Sequence, residues 1–531
     1  MPRREALSAV QKAALTTPPT APEDLVQHYT LDESELALIR QRRGDHNRLG
    51  FAVQLSYLRY PGVQLGPDVQ PPDTVLKYIG KQLHIKPVVW AEYASRDETR
   101  REHALELQQA FGYRAFTRAD YRTFRTWLIE LALQTHSALS LAQQFVDELR
   151  ARRILLPAPG VIDRLCVEAL ARGTRLFYQR LTEELDDEHR TRLDAVLEPR
   201  EQTRIVVLTW LRQPPGEAKA AKILLHLERF EAIRALALPA DLGRSVHQNR
   251  LAQLAREGAQ MNMRHLRDLE PTRRYATLVA LLLDTQATVI DQVLDMHDRF
   301  MGRLFSSAKR KHAEAFQQQA KAINQKIRQY AKVGRALIEA RKTETDPYVA
   351  IEAVMSWEAF TQSVTEVDEL MRPESFDHLP RLADGFSQLR RYTPRLLEAL
   401  AFKVAPVAQP VLDAVEAIRA LNRSGGKTLA KDAPTEFIKP RWKEHVLKDD
   451  GIDRRFYELC AMSELKNALR SGDMWVPGSR QFKDFEDYLL PPARFATLNE
   501  AGELPLHIDT DGERYLEERL ALLTRVRHFF V

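Results

Sequence analysis

Three clusters of basic side chains have the spacing to do chemistry in this sequence, and the chemistry they suit is the holding of phosphate. Between residues 40 and 62 five arginines (Arg40, Arg42, Arg43, Arg48 and Arg59) meet one acid, Asp45. If this stretch is helical, Arg48 and Arg59 are three turns apart and project from nearly one azimuth, about 16 Å apart along the axis. Leu49, Val53, Tyr57 and Tyr60 fill one flank of that helix, and Phe51, Leu55 and Leu58 another. Asp45 or Asn47 is expected to cap it, and Pro61-Gly62 to end it. Arg42, Arg43, Asn47, Arg48 and Arg59 are therefore candidate phosphate contacts. A solvated charged face on an ordinary core helix stays open as the other reading.

In the second cluster Thr117 and Asp120 form a capping-box-like start, and Arg118, Arg122 and Arg125 follow at i, i+4 and i+7. They share about a 60° fan of the helix, while Tyr121, Phe124, Leu128 and Leu131 face elsewhere. An apolar side with arginines near the N-terminal half is the layout of a recognition helix. Such arginines either grip guanine O6 and N7 or hold phosphate. The third cluster spans residues 303–342, where eleven lysines and arginines face two acids, Glu314 and Glu339. Arg310, Lys321, Arg328, Lys332 and Arg335 fall within about 60° of one another, and a continuous helix over 308–342 is roughly 50 Å long. Phe316, Ile323, Ile327, Tyr330 and Ile338 lie opposite. Such a helix could follow a duplex backbone, each neutralised phosphate steepening the log–log salt dependence by about 0.9. A solvated surface helix remains the alternative; membrane binding is disfavoured because the apolar face is modest and lacks tryptophan.

The elements that must position these side chains read as helices almost throughout, because i, i+3, i+4 apolar spacing dominates and alternating runs are scarce. The fold class expected is mostly α, with tandem small helix-turn-helix-like units followed by larger all-helical blocks. Proline clusters at 18–22, 67–72, 157–159, 214–215 and 406–410 punctuate the chain. They predict blocks over 1–66, 67–156, 157–342 and 343–531. Residues 74–85 read as the first helix of a helix-turn-helix, with Pro87 near the start of the second.

The chain has 531 residues, 44% hydrophobic and 28% charged, which describes a globular protein of several domains. Its net charge is only +5, so clustering rather than excess carries the argument. No apolar run here approaches the length needed to span a bilayer, and the N-terminus lacks the apolar core of a secretory signal. Two cysteines, Cys166 and Cys460, indicate neither a disulfide framework nor a zinc site. A cytoplasmic, nucleoid-associated protein without membrane contact is expected.

The sequence also resembles a known family. Arg42-Arg43-Gly44, Asn47 to Ala52, Gln54-Leu55, Leu58-Arg59 and Pro61-Gly62 resemble the N-terminal signature of the Tn-three family of replicative transposases. The resemblance continues through Trp90 to Arg96, Thr99 to His103, Gly112-Tyr113-Arg114 with Phe116, Leu251 to Gly258, and Asp432 to Phe437. It is strongest in Tyr457-Glu458-Leu459-Cys460 and between Leu469 and Arg480. It implies sequence-specific binding of transposon terminal inverted repeats on double-stranded DNA, with dimerisation with a second copy or an intact transposase. It alone raises Arg96, Arg100 and Arg101 as DNA contacts, since Asp97, Glu98 and Glu102 interleave with them as intrahelical partners. The family's cleavage chemistry uses three carboxylates and two divalent metals on a ribonuclease-H-like fold. Those carboxylates would follow residue 531, so no catalytic residue, metal ligand or cofactor is assigned, and magnesium or manganese is expected only for that further domain. Whether the chain is an enzyme is left open; it is expected to bind ends without cutting them. The alternatives are an all-helical protein-interaction scaffold without DNA binding, and a truncated transposase acting as a competitive inhibitor.

Two tempting motifs fail. Ser424 to Thr428 reads Ser-Gly-Gly-Lys-Thr, but Leu421 stands where a phosphate-cradling loop needs its first glycine. The fifteen histidines show no metal-binding spacing.

Overall fold

The structure, a computed structural model, describes residues 5–66, 69–201, 203–239, 241–370, 378–489, 492–500 and 511–530. Pro67, part of the expected punctuation, lies outside the described residues. Helices dominate, as the apolar periodicity predicts. The first ten are α1 (Ala9–Ala14), α2 (Pro22–Tyr29), α3 (Glu33–Arg40), α4 (Asp45–Arg59), α5 (Asp73–Leu83), α6 (Trp90–Ala94), α7 (Asp97–Phe111), α8 (Arg118–Ala132), α9 (Ala138–Ala151) and α10 (Pro159–Thr182). Then come α11 (Asp187–Ala195), α12 (Val207–Leu211), α13 (Ala220–Arg234), α14 (Gln248–Gln260), α15 (Met263–Asp268) and the 72-residue α16 (Pro271–Lys342). The rest are α17 (Pro347–Glu352), α18 (Trp357–Leu370), α19 (Phe386–Arg390), α20 (Thr393–Ala399), α21 (Gln409–Ser424), α22 (Pro440–Val446), α23 (Arg454–Ser471), α24 (Pro492–Glu500) and α25 (Gly512–Phe530). Among the described residues the strands are two-residue pieces: β1 (Lys403–Val404) pairs antiparallel with β4 (Met474–Trp475), and β2 (Leu447–Lys448) with β3 (Gly451–Ile452).

The chain divides into two compact units, one of Met1–Leu193, Leu238–Leu281 and Pro491–Val531, the other of Asp194–Ala237 and Leu282–Leu490. Two apolar clusters of the first unit carry the basic helices. One is built around α4, which is buried from Leu49 to Leu58 because α2, α3, α5, α6 and α7 surround it. A helix buried on all sides must satisfy its own polar groups. Accordingly Gln54 donates to Tyr93 Oη at 2.7 Å and to the Arg100 carbonyl at 3.0 Å, and Ser56 donates to the Ala52 carbonyl. Gly50 lets the Tyr93 ring approach so closely that a Cβ at this position would meet ring carbons at 2.3 Å. The expected cap is corrected: α4 starts one residue earlier than that reading required, with Gly44 at the N-cap (φ +81°) and no capping side chain. Asp45 is then its first helical residue, and Asn47 donates instead to the Arg43 carbonyl at 2.8 Å.

The second cluster joins α8, α9 and α10 to Leu7 and Leu15 from the chain's start. Asp163 of α10 makes that joint, accepting the N–H groups of Ala6 (3.1 Å) and Leu7 (2.9 Å) and pairing with Lys12 at 3.3 Å. These clusters cut across the blocks expected from the prolines. Residues 5–15 pack with the later helices, α5 and α7 pack with α4, and Leu156 N–H donates to the Gly62 carbonyl across the supposed boundaries. Prolines of these clusters stand at the first turns of helices such as α2 and α10, where the lost N–H has no intrahelical partner anyway. The expected helix-turn-helix is also altered. α5 ends at His84 in the left-handed region (φ +58°), and Pro87 opens a 3-10 turn (Pro87–Val89) followed by only five residues of α6.

In the second unit α13, α20, α21, α22 and α23 pack with the middle of α16 around Trp442, Tyr392 and Tyr457. His297 is sealed inside, 2.8 Å from Tyr392 Oη and 3.4 Å from the Met462 carbonyl, and burial pushes its pKa down to about 4. Asp291 accepts from Ser479 Oγ (2.6 Å) and from the N–H groups of Arg480 (3.1 Å) and Gln481 (3.3 Å), which fastens residues 479–481 to α16. A stretch of α16 is apolar and long enough to cross a membrane by composition, and 67% of that window is buried inside the protein.

Candidate nucleic-acid interface

α8 begins as its sequence predicts. The Thr117 side chain accepts from Asp120 N–H, and the Asp120 carboxylate accepts from Thr117 N–H at 2.9 Å. Arg114 closes the arrangement with two 2.7 Å bonds to the same carboxylate, and those bonds hold it far below the ordinary carboxylate range. Phe124 and Leu128 anchor the helix in the second cluster. The opposite side carries Arg118, Arg122 and Arg125, all exposed. Arg118 and Arg122 have no carboxylate within ion-pairing distance among the described residues, whereas Arg125 lies 3.4 Å from Glu168 of α10. The arginine fan thus exists with two of its three members free.

Sequence reasoning missed Arg164. It is exposed on α10 one turn before Glu168, and its charge together with that of Arg125 acts on the Tyr121 hydroxyl. Burial foremost, and the bond to Glu168 at 3.1 Å, raise the Tyr121 pKa, while those two arginines oppose the rise. The available signal was its place four residues before Glu168 on a helix rich in arginine. Arg164 extends the basic face of α8 onto α10.

The cluster around α4 is largely corrected. Arg59 was expected to face outward beside Arg48. Instead it pairs with the buried Glu35 and donates to the carbonyls of His28 (3.1 Å) and Thr30 (2.8 Å). The physical reason is the C-terminus of α2, whose carbonyls lack intrahelical donors and take them from Arg59 and from Gln82, which donates to the Tyr29 carbonyl. Arg42 bonds Glu106 at 2.7 Å and rests 4.9 Å from the centroid of Phe51. Arg48 donates Nε–H to the Arg42 carbonyl at 3.0 Å and lies 3.6 Å from Asp45, so it ties down the turn before its own helix. Asn47 is half-buried on the same turn, and Arg43 alone of this group is exposed without a carboxylate partner among the described residues.

Arg100, raised by resemblance, is buried and donates to the carbonyls of Ala94 (3.0 Å) and Gly66 (2.7 Å), which removes it as a surface contact. Arg96, at the N-cap of α7, pairs with Glu92 of α6 at 2.7 Å rather than with Asp97, Glu98 or Glu102, and Arg101 is exposed beside Gln64 and Asp97.

The third cluster sits on α16. Residues 308–342 form one continuous helix, as expected, although it begins far earlier, at Pro271, and extends about 108 Å if straight. Lys321, Arg328, Lys332 and Arg335 are exposed, and Arg310 lies 3.8 Å from Glu314. Tyr330, on the apolar side, stacks edge-on with Phe360 and bonds Ser363 of α18 at 3.0 Å, while Lys326 pairs with Glu366. Ile327 and Ile338 stay exposed, so α18 covers only part of that side.

These surfaces are basic and exposed; other chemistry is poorly served. Both cysteines are buried, and burial pushes each thiol up to about 12. Among the described residues no three His, Cys, Asp or Glu side chains converge as a metal-holding group. The Ser-Gly-Gly-Lys-Thr segment is a helix end: Gly425 (φ +68°) takes the left-handed position after α21, and Gly426 N–H closes on the Leu421 carbonyl at 3.2 Å.

Residues 6–169 match a family model described as a domain of unknown function, DUF4158. The chain is 52% identical over 523 residues to the transposase for transposon Tn501 of Pseudomonas aeruginosa, which covers 98% of this chain and 53% of that protein. It is 50% identical over the same share of both chains to the transposase for transposon Tn21 of Escherichia coli. It is 28% identical over 481 residues to the transposase for transposon gamma-delta of Escherichia coli strain K12, covering 89% of this chain and 48% of that protein. The chain is thus homologous along nearly all its length to Tn-three-type transposases, and spans about half the length of the curated relatives it matches.

Proposed function

We propose that this chain binds transposon terminal inverted repeats as the DNA-binding and assembly part of a replicative transposase. The observation that carries the reading is the exposed basic face of α8 and α10, with Arg118 and Arg122 unpaired among the described residues on a helix clamped by its apolar side. In this proposal α8 is the element that meets base edges, because its arginines stand in its first three turns. Lys321, Arg328, Lys332 and Arg335 of α16, with Arg43 and Arg101, hold phosphates and carry no sequence information. Assembly is with a second copy or with an intact transposase.

Cleavage and strand transfer belong, on this proposal, to the part of the relatives' length that the chain does not span, where magnesium or manganese on three carboxylates would supply the chemistry. The described residues here do not fit such a metal pair, so no step is derived through it. Titrating the chain into a duplex of the element's own terminal repeat and into a scrambled duplex tests the reading. Tighter binding to the repeat supports it. Negligible binding to both would leave a protein-interaction scaffold, and nicking of either duplex in magnesium or manganese would show a catalytic site outside the surfaces named above.

A further inference from the structure

The second unit contains a cavity of about 540 Å³ that none of the surfaces above includes. Five basic side chains line it (Lys219, Arg303, Lys311, Arg381 and Arg391), and the one acid in its lining is Asp384. They come from four separate pieces of chain: the residue before α13, α16, the 3-10 turn Leu379–Gly385, and the end of α19. Glu217 bonds both Lys219 (2.7 Å) and Arg303 (2.9 Å), and Asp384 bonds Lys311 (3.1 Å). Those ion pairs fix three cations in the walls. Arg381 and Arg391 are exposed and have no carboxylate within ion-pairing distance among the described residues, so two guanidinium groups face the opening uncompensated. Converging cations from unconnected segments repel one another, and a folded chain tolerates them most readily where an anion is to be held.

We infer that this cavity is a phosphate site for the backbone of duplex DNA, with Arg381 and Arg391 as its ligands and Gln388 as a neighbouring hydrogen-bond donor. A guanidinium fork matches two phosphate oxygens, and the three further cations in the same lining exceed the two carboxylates they pair with. The site reads no sequence. It rests on the proposed function only for the source of the phosphate, and its residues are distinct from those of α8.

The test measures the salt dependence of binding to a 20-base-pair duplex of arbitrary sequence by the full chain, its Arg381→Ala/Arg391→Ala variant and its Arg381→Lys/Arg391→Lys variant. Each phosphate released lowers the log–log slope by about 0.9, so the alanine pair should lose about 1 to 2 in slope, and the lysine pair should recover most of it. The same loss is expected on the terminal repeat, with the repeat-to-scrambled ratio unchanged. An unchanged slope in the alanine pair overturns the inference. Thermal stabilisation by inorganic phosphate that vanishes in the alanine pair, with the DNA slope intact, also overturns it by assigning the site to a free anion. If the repeat is not preferred at all but the slope still falls, the repeat-binding proposal fails while this site stands.

Discussion

Replacing Gly50 by alanine tests the packing that presents the first unit's helices. A Cβ on Gly50 would meet Tyr93 Cδ1 and Cε1 at 2.3 Å and Cδ2 at 2.4 Å, against ordinary carbon contacts of about 3.5–4.0 Å. The ring must therefore retreat by more than about 1 Å. It cannot do so freely. Tyr93 is fully buried, its hydroxyl accepts from Gln54 at 2.7 Å and lies 3.1 Å from His103 Nδ1, and Trp90 packs beside it. Overpacking of this depth costs about 3 kcal/mol, the upper part of the usual range. Alanine in a helix interior returns about 1 kcal/mol relative to glycine. The net expectation is a loss of about 2 kcal/mol, or roughly a thirtyfold rise in local opening. Hydrogen–deuterium exchange of peptides covering α4 and α6 reads this directly. Gly334→Ala, with nothing within 4 Å of its added Cβ on α16, serves as the control and should be neutral or stabilising by up to about 1 kcal/mol. Exchange in Gly50→Ala equal to or slower than in the wild type would refute the packing argument.

Three further outcomes follow from the same contacts. Arg59→Ala should destabilise the first unit by about 3 kcal/mol, because Glu35 is left buried without its partner; urea unfolding checks it, and a shift no larger than that of a surface substitution would return Arg59 to the surface. Asp291→Ala removes the acceptor of three donors at residues 479–481, a loss of about 3 kcal/mol, and should speed proteolytic cleavage near Ser479 without altering cleavage elsewhere. His297 and His226 both have pKa values lowered to about 4, chiefly by burial. The unfolded chain binds those protons more readily, so their contribution is complete above about pH 6.5 and is lost as pH falls from there towards 4, by about 3 kcal/mol for each. His297→Gln should flatten the pH dependence of the urea midpoint over that interval, and an unchanged slope would contradict its buried neutral state.

The helical class was legible because apolar spacing is a local signal, and so was α8, whose cap and arginine fan are both set within nine residues. What could not be read was which arginines are already bound. Arg59 finds its partners in Glu35, His28 and Thr30, and Arg100 in the Gly66 carbonyl, all distant enough in sequence that only the fold brings them together. Isolated spacing on one helix face cannot distinguish an arginine that closes another helix's C-terminus from one that waits for phosphate. The joint between the chain's first residues and α10 was hidden for a related reason: Asp163 reaches the N–H groups of Ala6 and Leu7 from more than 150 positions away, and no proline marks it. Several motif residues of the family resemblance prove to be structural. Tyr457 is fully buried with its hydroxyl on the Pro434 carbonyl (2.9 Å), and Ser479 and Arg480 are held by Asp291. Arg164 escaped notice because its surroundings are made by α8 rather than by its own neighbours.

On the proposed function, the arginine face of α8 reads the terminal repeat. Its most direct measurement is the ratio of affinities for the repeat and a scrambled duplex, at one stated salt concentration, in the wild type and in Arg118→Ala/Arg122→Ala. The wild type should show a clear preference for the repeat, reduced by about tenfold or more in the variant, from loss of at least one base contact worth about 1–3 kcal/mol. A variant that loses affinity equally for both duplexes, leaving the ratio intact, would contradict it and make those arginines phosphate holders.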